Sequence, residues 1–158
     1  MARFIIKSTN EYAVKLSMLT DGAIERQIAG KAIHEGANIV ANEIKARLVQ
    51  NLNDPESVSK KRNILFKNYY NKPTGDLLAS FGISKMERDE DGYNVKIGFD
   101  GYDSHGVANQ LKARVMESGS SVLRKRPFVR PAVKQTKAQA IEKMGEIIDE
   151  EIARIMNN

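Results

Sequence analysis

Between Ala23 and Gln50, the residues Ile24, Ile28, Ala32, Gly36, Val40, Ile44 and Leu48 recur at every fourth position. A period of four drifts only slowly around an α-helix, so this stretch is expected to be one long helix burying a single stripe. Each interior glycine costs about 1 kcal/mol against alanine. Gly30 and Gly36 are therefore expected where a second backbone comes close. Near the other end of the chain, Ile141, Met144, Ile148, Ile152 and Ile155 form a second stripe, and Pro131 suits the first position of that helix.

What lies between is read as sheet and short helices. Tyr93, Val95, Ile97 and Phe99 alternate with polar or small residues, the pattern of a half-buried antiparallel strand. Ile83 to Met86 alternates as well, and the acidic segment Glu87 to Gly92 reads as the turn between, with Asp-Gly as its hairpin signal. Residues 74–81 predict one or two helical turns, with Thr74 as N-cap, Gly75 turning the chain and Asp76 at the positive helix end. A middle helix is predicted over 105–117 with Val107, Leu111 and Val115 inward, ended by Gly119 in a left-handed conformation. Residues 3–7 suggest a short strand, and 10–20 a short helix with Tyr12, Leu16 and Leu19 on one side. The fold class expected is α+β: a small antiparallel β-sheet flanked by a long N-terminal helix and a C-terminal helix. The 158 residues suit a single domain, with an extended loop at 51–73.

Several function classes lose their residues at once. The chain has no cysteine, which removes disulfides, thiolate nucleophiles and cysteine zinc sites and suits a reducing, intracellular compartment. Aromatic residues make up 6% with no tryptophan, poor material for stacking single-stranded bases. The apolar run at Phe4-Ile5-Ile6 is too short for a signal peptide, and no run could cross a bilayer, so no membrane is expected as a partner.

Three apparent sites fail on spacing. Gly101 to Gly106 mimics a phosphate-cradling loop, but Val107 and Ala108 stand where Lys and Ser or Thr would be needed. His34-Glu35 opens like a zinc-protease helix, yet the position one turn on is Asn38. Asp103, Ser104 and His105 supply the residue types of a catalytic triad only as sequence neighbours, which suits turn chemistry better. No catalytic residue, metal ligand or cofactor site is expected.

Charge is the remaining signal. The net charge is +5, and Arg124, Lys125, Arg126, Arg130, Lys134 and Lys137 place six cations within fourteen residues. The loop adds Lys60, Lys61 and Arg62 beside Phe66, Tyr69 and Tyr70. Opposite them stand Asp89 and Glu90 in the acidic segment 87–91, and a last helix with five acids and two bases from Ala140 onward. Opposite charges on separate parts of one chain are what head-to-tail copies use between them. Lys60, Lys61, Arg62, Phe66, Tyr69, Tyr70, Asp89, Glu90, Arg124, Lys125, Arg126, Phe128 and Arg130 are accordingly the candidate contact residues, with Phe128 suited either to the core or to a neighbour's pocket. The alternative is a basic nucleic-acid-binding module acting through 124–137.

The order of the segments adds a resemblance. Pro73-Thr74-Gly75-Asp76-Leu77-Leu78, a hairpin, Glu117-Ser118-Gly119-Ser120 and then Pro127-Phe128-Val129-Arg130-Pro131-Ala132 follow a long helix. From about residue 23 onward this resembles the tail-completion and head–tail joining proteins of tailed bacteriophages, the family named for gene product 10 of phage HK97. Here Ser120 replaces the family's usual Thr, Pro73 abuts Thr74, Ala113-Arg114-Val115 stands where an aromatic-Ala pair is familiar, and the 51–72 insertion is longer. The resemblance implies a non-enzymatic virion protein of the neck or tail top, assembled in the host cytoplasm. Copies would form a ring, expected to be sixfold, contacting connector, neck and tail-tube proteins around a channel for DNA that is passed without sequence-specific binding.

Overall fold

A computed structural model describes residues 22–54, 75–90, 92–121 and 123–156. The chain is mixed helix and sheet: a long N-terminal helix, a small antiparallel strand set in two sheets, and a long C-terminal helix. Its elements are α1 (Gly22–Asn53), α2 (Asp76–Ala79), β1 (Phe81–Ile83), β2 (Glu87–Asp89), β3 (Gly92–Asn94), β4 (Ile97–Phe99), α3 (Asn109–Ser118) and α4 (Val129–Met156). Among the described residues, no helix is long and apolar enough to cross a membrane. The expected elements at 3–7 and 10–20, Thr74 and loop residues 55–73 lie outside the described residues. The N-cap of α2 falls on Gly75 and not on Thr74, and α1 runs through Asn53, past the expected loop start at 51.

Contacts divide the chain into two compact units. Of the described residues, the first takes 42–54, 75–82, 98–121 and 123–134, the second 22–41, 83–90, 92–97 and 135–156. In the second unit Ile28 and Ala32 of α1 pack with Met144, Ile147 and Ile148 of α4, flanked by Ile24, Ile33, Ile141 and Ile152. Gly36 permits that approach: a Cβ there would lie 2.6 Å from Met144 Cγ and 3.1 Å from the Ala140 carbonyl oxygen. Among the described residues Gly30 instead faces only the Met86 side chain at 3.5 Å, an ordinary contact, and no second backbone of those residues requires it. In the first unit, Phe128 is fully buried with its ring 6.0 Å from that of Phe99, which meets Phe81 at 5.1 Å.

The sheet departs from the expectation at three points. The strand expected over 83–86 is instead Phe81–Ile83. The predicted strand 93–99 is broken at Val95-Lys96, because β3 pairs with β2 while β4 pairs with β1. At the break the Ser84 N–H donates to the Lys96 carbonyl at 2.8 Å and the Lys96 N–H to Ser84 Oγ at 2.8 Å. The acidic segment is also not all turn. Glu87–Asp89 is strand β2, antiparallel to β3 with Arg88 opposite Tyr93 and Asp89 opposite Gly92. Arg88 lies 5.4 Å from the Tyr93 ring centre, Lys96 pairs with Glu87 at 2.6 Å, and Asn94 Nδ2 donates to Asp89 at 2.8 Å. Those side-chain contacts outweigh the weak strand propensity of acidic residues.

Candidate functional site

The first unit holds the described residues of all three motif segments, and two of them, Glu117 to Ser120 and Pro127 to Ala132, meet where the Glu117 side chain reaches backbone N–H groups. Helix α4 begins at Val129, not at Pro131, so its N-cap position falls on Phe128, which has no side-chain acceptor. The Glu117 carboxylate supplies one. Its Oε2 accepts the N–H of Phe128 at 2.7 Å and of Val129 at 2.9 Å, while Oε1 accepts that of Arg130 at 3.1 Å. Pro131, next in line, has no N–H to satisfy. One buried carboxylate on α3 thereby satisfies the start of α4 and sits against its positive end.

The loop between the two helices is held as tightly. Gly119 has φ +79° with an extended ψ of 175°, so it is not the left-handed helical cap expected, though the positive φ still selects glycine. A Cβ at Gly119 would meet the Lys125 backbone nitrogen at 3.0 Å. Ser120 N–H donates to the Leu123 carbonyl at 2.9 Å, and Leu123 N–H to Ser120 Oγ at 3.0 Å. Arg126 N–H donates to the Met116 carbonyl at 2.8 Å. Its side chain, 13% exposed, pairs with Asp54 at 3.4 Å and donates to the Asn51 carbonyl at 3.3 Å, while Asn51 Nδ2 donates to the Arg126 carbonyl at 3.1 Å.

The 101–108 turn precedes α3. Asp103 Oδ1 accepts the His105 and Val107 N–H groups at 2.9 and 2.7 Å, and its other oxygen pairs with Lys112. The Lys112 bond foremost, then the Val107 N–H, lowers the Asp103 pKa to about 2. Ser104 donates to Asp76 at 3.0 Å and lies 3.2 Å from His105 Nδ1. Serine, not imidazole, stands in the middle of that group, whereas nucleophile activation requires imidazole between serine and carboxylate. Asp76 also accepts the Ser104 N–H at 3.1 Å, so it braces this turn as well as sitting in the single turn of α2.

Helix α3 starts at Asn109, four residues later than predicted, because the Asp103 turn and an antiparallel bridge of Tyr102 with Ala108 occupy the intervening chain. Its buried stripe is Asn109, Ala113 and Glu117, and Leu111 is 54% exposed, against expectation. Asn109 Nδ2 donates to the Asp100 carbonyl at 3.0 Å. Polar residues that satisfy backbone groups have taken the inward face.

The candidate contact residues thus divide. Arg124, Lys125 and Arg130 are exposed, the last with its Nε 3.8 Å from Glu117. Arg126 and Phe128 serve their own unit, Phe128 taking the core alternative. In the second unit Glu90 is exposed on the hairpin and Asp89 is half-buried against Asn94. Lys60, Lys61, Arg62, Phe66, Tyr69 and Tyr70 lie outside the described residues. His34 Nδ1 sits 2.9 Å from the Gly30 carbonyl of its own helix, and no cluster of three metal-ligating side chains exists among the described residues. Sequence reasoning missed the cap formed by Glu117. A helix opening on Arg-Pro-Phe-Val-Arg-Pro, with no Ser, Thr, Asp or Asn to cap it, was the available signal. No protein-family model, no curated protein and no solved structure matches the chain.

Proposed function

We propose that this chain is a non-enzymatic structural protein of a tailed phage or phage-derived particle. In this reading its copies form a ring at the neck or tail top, sixfold as in the family it resembles, and join the head connector to the tail. The observation that carries the reading is the meeting of two ordered motif segments: Glu117 of Glu-Ser-Gly-Ser accepts three N–H groups of Phe-Val-Arg. The segments behind the resemblance act together as one structural joint. Gly119 and Asp76 serve the same unit, by close approach and by bracing the 101–108 turn. Residues so used build a scaffold whose outer surface is left for partners.

Deletion of the gene in a particle-producing strain tests this. The expected products are DNA-filled heads and separate tails by electron microscopy, with joining restored by the gene in trans. Joined, infectious particles from the deletion strain would overturn the reading.

The exposed Arg124, Lys125, Arg130 and Lys134 favour a second reading, nucleic-acid binding through phosphates. Duplex-DNA affinity falling steeply with salt would support it, and absence of binding at low salt would remove it.

A further inference from the structure

The first unit uses most of its acids on internal partners, while six of its cations stay exposed. Glu43 pairs with Arg47, Asp54 with Arg126 and Asp103 with Lys112, Asp76 accepts from Ser104, and Glu117 caps α4. Of the unit's described acids, Asp100 alone is exposed. Lys45, Arg114, Arg124, Lys125, Arg130 and Lys134 are all exposed. Helix stability does not ask for this arrangement, since Arg130 lies in the first turn of α4, where the helix dipole favours acids.

The same unit carries two of the three exposed large apolar side chains among the described residues. Tyr102 is 73% and Leu111 54% exposed, and Leu111 stands three residues before the exposed Arg114 on α3. Phosphate backbones are held by charge and polar contact, with no use for an exposed leucine. Tyrosine, arginine and an apolar anchor are the composition of a protein-binding surface.

The complement lies on the same chain. Along α4, Glu142, Glu146 and Glu150 are exposed at four-residue spacing on one face. The third exposed apolar residue, Ile155 at 36%, follows Glu151 by one turn. We infer that the acidic C-terminal part of α4 of one copy docks on the cationic Tyr102–Leu111–Arg114 surface of the next, head to tail. A heterologous contact of this kind continues from copy to copy and closes into a ring when the rotation allows. The inference deepens the ring reading and rests on it.

Two variants test the contact. Arg114→Glu with Lys134→Glu reverses two of the first unit's exposed cations, and Glu142→Lys with Glu150→Lys reverses the acidic face of α4. None of these four residues takes part in the hydrogen bonds or ion pairs described above within either unit. By sedimentation, wild type should associate with rising concentration, and about tenfold or more weakly at high salt. Each variant alone should remain monomeric, and an equimolar mixture should form a 1:1 dimer that grows no further, because each still offers one intact surface. Leu111→Ser should weaken wild-type association without changing its salt dependence. A monomeric mixture beside an associating wild type would overturn the inference. So would a wild type that stays monomeric at every concentration, or one whose cationic surface captures duplex DNA while self-association ignores both variants. The deletion phenotype is read separately, so the contact can fail while the neck assignment stands.

Discussion

The Glu117 carboxylate accepts three N–H groups that Phe128, at the N-cap, could not satisfy with its own side chain. Charge-assisted bonds to otherwise orphaned helix donors are worth more than neutral ones, and their loss leaves buried N–H groups unpaired. Glu117→Ala should cost about 3 kcal/mol in urea denaturation, and Glu117→Gln, which keeps one acceptor oxygen, roughly half as much. Equal stability of Glu117→Ala and wild type would contradict the cap. Asp103 gives a pH signature. Its carboxyl sits at about 2, held there first by Lys112 and then by the Val107 N–H. A folded-state pKa below the unfolded one means a contribution fully present above about pH 4 and lost as pH falls toward 2. The wild-type urea midpoint should drop across that window, and the drop should shrink in Asp103→Asn.

At the scale of elements, Gly36 sets how closely α1 and α4 approach in the second unit. Gly36→Val would place branched carbon where Met144 Cγ and the Ala140 carbonyl oxygen already stand. It should cost about 1–3 kcal/mol by overpacking, read as a lower thermal midpoint, whereas Gly30→Ala, facing only the Met86 side chain, should be neutral or stabilising. The long helices were legible because their stripes are periodic. Ile28, Ala32, Val40, Ile44 and Leu48 are buried, as the four-residue period required. The middle of the chain was less legible. Two strands that read as one, 93–99, change partners at Val95-Lys96, and alternation carries no mark of which neighbour a strand will pair with. In α3 the apolar count misled, because Asn109 and Glu117 face inward to satisfy backbone groups and Leu111 is left outside. Glu117 and Phe128 were both visible as motif residues. Their joining across eleven residues depends on a loop geometry that periodicity does not encode.

For the molecule as a whole, the central claim is that this chain is a neck or tail-completion component present as one ring. Its charge is partitioned, with the first unit exposing cations and α4 exposing acids toward its C-terminal end. In the proposed ring, that partition would make assembly sensitive to salt and to charge reversal while the monomer stays folded. Lys125→Glu, on a loop held by Gly119, Ser120 and Arg126, should impair joining in particles without moving the thermal midpoint of the purified chain. The most direct measurement is quantitative mass spectrometry of purified particles from the strain that encodes the chain, with the major tail-tube protein as internal standard. The account predicts a fixed, low copy number of one ring, about six per particle. Hundreds of copies would mark a tube or shell protein, and absence from particles despite abundance in the lysate would contradict the assignment outright.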